Sequence, residues 1–105
     1  MHKSRVFYGG VFLDEKDLLE SDINYEVELE YYKTQKDKKN KGSKIYGIEI
    51  VRKDYITENT VSENNIVEYI TEDENKLNNI IEIIKRNKVL PQDLEYVVRD
   101  LLKVN

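Results

Sequence analysis

The chain has 105 residues, enough for one domain around a single core, and it carries no cysteine, which excludes disulfides, thiolate metal sites and cysteine nucleophiles. Charged residues make up 36% and hydrophobic residues 39%, at a mean hydropathy of -0.70, and no run approaches the ~18 consecutive apolar residues of a membrane span. The formal net charge of -4 hides an asymmetry: residues 33–44, KTQKDKKNKGSK, hold six Lys against one Asp, leaving 11 of the 17 basic and 20 of the 21 acidic residues to the rest of the chain. In chain order, RVFYGGVF surrounds a Gly9-Gly10 pair that reads as a hairpin turn or a hinge, and Asp14 can cap a short helix through Leu18 and Leu19. Residues 1–22 read as a variable N-terminal segment, and 23–105 as the domain proper.

In INYEVELEYY, Tyr25, Val27, Leu29 and Tyr31 alternate with Asn24, Glu26, Glu28 and Glu30, the period of a strand with one buried and one wet face. The lysine-rich stretch is expected to be a loop. KIYGIEIVRKDYI then places Tyr46, Ile48 and Ile50 on one face and Ile45, Glu49 and Val51 on the other, with Gly47 allowing a bulge or a close approach. ENTVSENN reads as turn-prone, and NIVEYI as a third, shorter strand.

At Thr71 the pattern changes. TEDE has the form of a capping box, with the Thr71 hydroxyl at the N-cap and Glu74 reaching back. Leu77, Ile80, Ile81 and Ile84 follow at helical spacing, Lys85, Arg86 and Lys88 suit the negative helix end, and Asn87 is a natural stop. Pro91 opens a last helix, along which Leu94, Val97, Val98, Leu101 and Leu102 repeat the stripe. The fold class is therefore α+β: a three-stranded antiparallel meander, four-stranded if the N-terminus contributes, with helices near 72–87 and 91–103 forming a hairpin on one face. The expected core is Val27, Leu29, Tyr46, Ile48, Ile50, Ile66, Leu77, Ile80, Ile81, Ile84, Leu94, Val97, Val98 and Leu101.

Candidate chemistry is sparse. His2 is the lone histidine and sits at the second position, so nucleophile–base pairs and histidine metal sites cannot be assembled. Glu26, Glu28 and Glu30 read as the wet face of a strand and Glu72, Asp73 and Glu74 as a helix start, rather than as Ca²⁺ or Mg²⁺ ligands. YGGVF and YGIEI lack the glycines and the Lys-Ser/Thr of a phosphate cradle. No cofactor, no metal and no enzymatic activity are expected. Lys33, Lys36, Lys38, Lys39, Lys41 and Lys44, flanked by Tyr31, Tyr32 and Tyr46, could contact single-stranded nucleic acid. A hairpin tip kept soluble by lysine is the competing reading. The last helix carries Asp93, Glu95 and Asp100 against Arg99 and Lys103 on its outer side, which argues against its entering a DNA groove.

The C-terminal half, with YGIEI and the following VRKDY, then YITEDE, then IIKRNKVLPQDLEYVVRDLL, resembles a family of small uncharacterised proteins of spore-forming Gram-positive anaerobes. The likeness spans roughly residues 24–103. It implies a small cytoplasmic bacterial domain with no assigned activity and transfers no site residue.

The expected function is a non-enzymatic protein-interaction or regulatory module, with a nucleic-acid accessory role through residues 33–44 as the alternative. Eight tyrosines are many for a core of this size, and Tyr suits interfaces. The candidate contacts are Tyr32, Tyr46, Tyr55, Tyr96, Lys36, Lys38, Lys39 and Lys41, with Tyr8 also a candidate for exposure. The expected partner is an unidentified protein, no membrane is expected to be involved, and a free sheet edge or Tyr96 could join two copies.

Overall fold

The computed structural model describes residues 3–18, 22–39 and 42–103; His2, Leu19 and Lys41 lie outside them. Strands β1 (Lys3–Phe12), β2 (Glu26–Asp37), β3 (Lys44–Ile56) and β4 (Asn59–Thr71) form one antiparallel sheet in the order β1-β2-β3-β4. A short helix α1 (Glu15–Leu18) links β1 to β2, and helix α2 (Glu74–Arg86), a 3-10 turn (Pro91–Asp93) and helix α3 (Leu94–Lys103) follow the sheet. The sheet is therefore four-stranded, with the N-terminal segment as its first strand.

The Gly9-Gly10 pair is neither a turn nor a hinge but lies inside β1. Pairing with β2 passes from Phe7 opposite Tyr32 to Gly9 opposite Tyr31, so Tyr8 is the extra residue of a bulge. Gly9 fits because the stem of Lys85 crosses it: a Cβ there would stand 3.0 Å from Lys85 Cδ. Asp14 caps α1 as expected. Its Oδ1 accepts from the Asp17 amide at 3.0 Å, while Asp17 Oδ2 accepts from the Asp14 amide at 2.9 Å.

The expected lysine loop is much shorter than 33–44. The β2–β3 ladder continues down to Asp37 opposite Lys44, so Lys33, Lys36 and Lys44 are strand residues, and the connection closes by the Lys38 amide donating to the Ser43 carbonyl at 3.0 Å. Main-chain pairing at the hairpin end outweighs the low strand propensity of these polar residues. For the same reason ENTVSENN is mostly strand. The turn consists of Thr57 and Glu58, with Glu58 at φ 67, and pairing with β3 starts at Asn59.

Gly47 sits where β4 bulges, between Tyr46 opposite Thr71 and Ile48 opposite Val67. A Cβ at Gly47 would fall on the Val67 carbonyl oxygen and stand 2.6 Å from Thr34 Oγ1 and 2.7 Å from Glu68 Cα. Only glycine allows this backbone approach. The register also corrects one expected core residue. Ile66 lies opposite Glu49 on the outer face, and Val67, opposite Ile48, faces the helices.

Helix α2 is capped by Asp73, not Thr71: the Asp73 carboxylate accepts from the Lys76 amide at 3.2 Å, and Thr71 Oγ1 accepts from the Asp73 amide at 3.1 Å. Thr71 still belongs to β4, and Glu74 turns its carboxylate to Lys33 rather than back onto the cap. At the other end Asn87 is the C-cap and Lys88 takes φ 54. The Lys88 amide donates to the Lys85 carbonyl and the Val89 amide to the Ile84 carbonyl, which closes the helix end and turns Val89 into the core. Lys88 therefore does more than complement the helix dipole. Its Nζ reaches Asp17 Oδ2 at 2.8 Å and ties the α1 segment to α2.

One apolar cluster joins Leu29, Tyr31, Tyr46, Ile48 and Ile50 of the sheet to Leu77, Ile80, Ile81 and Ile84 of α2, Val89, and Leu94 and Val98 of α3. Val97 and Leu101 pack against it partly buried. Each fully buried aliphatic side chain contributes about 1.5–3 kcal/mol. Tyr31 and Val89 were not in the expected core. Tyr31 is admitted because its hydroxyl donates to the Val89 carbonyl at 3.0 Å, and among the described residues no buried side-chain polar atom is left unsatisfied.

Candidate interaction surface

Helices α2 and α3 cover one face of the sheet and leave the other open. The strand registers place on the open face Arg5, Phe7, Gly10 and Phe12 of β1; Glu26, Glu28, Glu30, Tyr32, Thr34 and Lys36 of β2; and Glu49, Val51, Lys53 and Tyr55 of β3. Asn64 and Ile66 complete it from β4. Phe7 and Phe12 are each 55% exposed. Phe7 and Tyr32 pack in a T-shape with ring centroids 5.5 Å apart, and the Phe12 ring lies 6.4 Å from that of Tyr55.

A polar cluster sits at the centre. Glu49 is only 8% exposed, although no helix covers it. Arg5 Nη1 donates to Glu49 Oε1 at 2.8 Å and Asn64 Nδ2 to Glu49 Oε2 at 2.8 Å, so side chains from β1 and β4 converge on a carboxylate of β3. The Arg5 guanidinium lies 4.0 Å above the centre of the Tyr32 ring, which orients it toward Glu49. Ser4, Arg5, Thr34, Glu49, Asn64 and Ile66 line a shallow depression of about 410 Å³ here.

The acidic row of β2 is engaged within the face. Tyr55 donates its hydroxyl to Glu28 Oε1 at 2.6 Å, Tyr32 to Glu30 Oε1 at 3.1 Å, and Lys53 Nζ to Glu30 Oε2 at 3.3 Å. The Glu28 bond, with some desolvation, pushes the Tyr55 hydroxyl up to about 12, and burial followed by the Glu30 bond raises that of Tyr32. Glu26 and Glu28 form no ion pair with a described residue.

The structure disperses the residues singled out from sequence. Tyr32 and Tyr55 share the open face, while Tyr96 stands apart on α3, 68% exposed. Tyr46 is buried in the core cluster and is not available as a contact. Tyr8 is half-buried, donating to Glu82 Oε1 of α2 at 2.6 Å. Lys36 Nζ bonds the Tyr69 hydroxyl at 2.8 Å, Lys38 Nζ pairs with Glu72 at 2.8 Å, Lys39 is exposed, and Lys41 lies outside the described residues. Lys33 is drawn to Glu74 Oε2 at 2.6 Å. Glu72, Asp73 and Glu74 do not converge: the first pairs with Lys38, the second caps α2 and the third pairs with Lys33. Among the described residues no group of three or more His, Asp or Glu side chains could hold a metal ion, and no helix is long and apolar enough to cross a membrane.

Sequence reasoning passed over Arg5, Phe7, Phe12, Glu49 and the exposed Tyr69. The alternation of β1 hides its two faces, because the Tyr8 bulge reverses the parity halfway along the strand.

The chain belongs to the family of unknown function DUF6514, which matches residues 12–104. No curated protein and no solved structure matches the chain. The DUF6514 match begins at Phe12, the last residue of β1, earlier than the likeness over 24–103. It takes in Phe12, Tyr32, Glu49, Tyr55 and Asn64 of the open face and leaves out Arg5 and Phe7.

Proposed function

We propose that this DUF6514 chain is a non-enzymatic interaction module that binds a protein partner through the open face of its sheet. The observation that carries this reading is the pair of half-exposed phenylalanines, Phe7 and Phe12, set beside Tyr32 and Tyr55 on a face that neither α2 nor α3 covers. Exposed aromatic area of this kind is a recurrent centre of protein interfaces. The charges in the middle of the face, Arg5 with Glu49 and Lys53 with Glu30, are paired already, so covering them strands no unpaired charge. Glu26 and Glu28 at the Phe12–Tyr55 end favour a partner with an apolar centre and a basic flank.

What supports protein over nucleic acid is the fate of the lysines. Lys33 and Lys38 are bonded to carboxylates and Lys36 to a tyrosine hydroxyl, which draws much of the basic stretch into the protein's own structure. Affinity capture with mass spectrometry, using the wild type and the Phe7→Ser/Phe12→Ser variant, tests the reading. A protein retained by the wild type and lost by an equally stable variant is expected. Equal retention by both, or salt-dependent binding of single-stranded oligonucleotides that disappears when the six lysines of 33–44 become Gln, would overturn it.

A further inference from the structure

The sheet has two edges, and they differ. Along β4 the edge carries Glu63 and Glu68, α3 packs against the strand, and Asn65 Nδ2 donates to the Pro91 carbonyl at 2.9 Å. Along β1 there is no charge from Val6 to Phe12, no proline, and half or more of Val6, Phe7 and Phe12 is open to solvent. A stretch of edge strand without charge or proline, as from Val6 to Phe12, is a template for further strand pairing.

The Tyr8 bulge decides what fits that edge. In an unbulged strand Val6 and Val11, five residues apart, would point to opposite faces. Here Val6 lies opposite Lys33 and Val11 opposite Leu29, both on the helix face, while Arg5, Phe7, Gly10 and Phe12 lie on the open face. Run antiparallel against its own copy about a two-fold axis through the bulge, the strand therefore meets itself face for face. Val6 stands beside Val11 and Phe7 beside Gly10, while Arg5 comes opposite Phe12 with its guanidinium still held over Tyr32 by Glu49. A bulged strand from an unrelated protein has no reason to share this reversal of parity.

We infer that β1 pairs antiparallel with β1 of a second copy of this chain, in the register Val6 opposite Val11, joining two four-stranded sheets into one. The inference rests on the strand edge and shares Phe7 and Phe12 with the face proposed for a partner, so its test reads Val6 and Val11, which lie on the helix face.

The test uses the full chain, which has no cysteine of its own. In a Val6→Cys/Val11→Cys variant the two thiols of one strand are roughly 16 Å apart, too far to bridge. Oxidation is expected to give a disulfide-linked dimer on a non-reducing gel. By sedimentation velocity the wild type is expected to show a concentration-dependent dimer, Val6→Lys to weaken it at least ten-fold while keeping its circular dichroism, and Tyr96→Ser on α3, which packs toward the other edge, to leave it unchanged. A wild type that stays monomeric at its highest soluble concentration overturns the inference. So does a dimer that survives Val6→Lys, that is lost in Tyr96→Ser, or that forms no disulfide cross-link when the double-cysteine variant is oxidised.

Discussion

Arg5 and Glu49, 44 residues apart in sequence and two strands apart in the sheet, form an ion pair of 2.8 Å across the open face. The Arg5 side chain is 49% exposed and that of Glu49 10%, so the two partners are not equivalent. Removing Arg5 leaves a mostly covered carboxylate with Asn64 as its remaining donor. Arg5→Ala is expected to cost about 1–2 kcal/mol, moderated by solvent around the guanidinium. Urea unfolding measures this directly. In a Glu49→Gln background the same substitution should cost about 1 kcal/mol less, because no buried charge is then stranded.

Gly47 makes a sharper prediction. A methyl group there meets backbone atoms of β4, Val67 O and Glu68 Cα, which cannot swing aside as a side-chain tip would. Gly47→Ala should lower stability by about 1–3 kcal/mol through displacement of the bulge. Gly42, at φ 86 with open space around it, would suffer for a different reason, backbone strain alone. Thermal melts of the two alanine variants should rank Gly47→Ala as the more damaging.

The start of α2 separates two caps that look interchangeable in sequence. Asp73→Ala removes the side-chain acceptor of the Lys76 amide and is expected to cost about 1 kcal/mol, within the usual range for a lost N-cap. Thr71→Ala removes only the bond to the Asp73 amide at the end of β4 and should cost less. Equal losses in chemical denaturation would mean that the helix begins earlier than Glu74.

Stability should fall in acid. Asp54 is held below the usual carboxylate range by the Arg52 fork, Nε to Oδ1 at 2.7 Å and Nη2 to Oδ2 at 3.0 Å, and then by the Tyr25 hydroxyl. Glu74 is lowered by Lys33, Asp17 by Lys88 and Glu82 by the Tyr8 hydroxyl. Depressed folded-state values mean that the stabilisation is complete above the unfolded pKa values, about 3.9 for Asp and 4.3 for Glu, and is lost as pH falls through the folded ones. The melting temperature should decline below about pH 4, and Asp54→Asn should make that decline shallower. In alkali the sign reverses for Tyr55. Its hydroxyl is pushed up to about 12, so its bond to Glu28 stabilises fully below the unfolded value and is lost as pH rises toward 12. Tyr55→Phe should remove a late step from the tyrosinate absorbance titration.

What was legible in the sequence is what short-range periodicity encodes. Val27, Leu29 and Tyr31 alternate with glutamates because a strand has a period of two, and the stripes from Leu77 to Ile84 and Leu94 to Leu101 follow the helical period. Asn87 and Pro91 mark a helix end and a helix start through backbone chemistry that needs no distant partner. The α+β class follows from these alone, as does the close approach at Gly47.

Tertiary pairing decided the rest. Residues 33–37 and 59–64 are polar and weak strand formers, yet they are strand because β3 offers each of them a main-chain partner. The bulge at Tyr8 reversed the faces of β1, and the bulge opposite Gly47 exchanged Ile66 for Val67 in the sheet's inner face, shifts that no local pattern signals. The charges behaved likewise. A run of lysines gives the same net charge whether it is free or paired, and only the approach of α2 and β4 settled that Lys33 and Lys38 hold Glu74 and Glu72 and that Lys36 holds Tyr69. By itself the sequence determined which residues could form strands, helices and caps, because those preferences act within a few residues. Which face was left open, and that Arg5, Phe7, Phe12 and Glu49 all lie on it, depended on register between strands far apart in the chain.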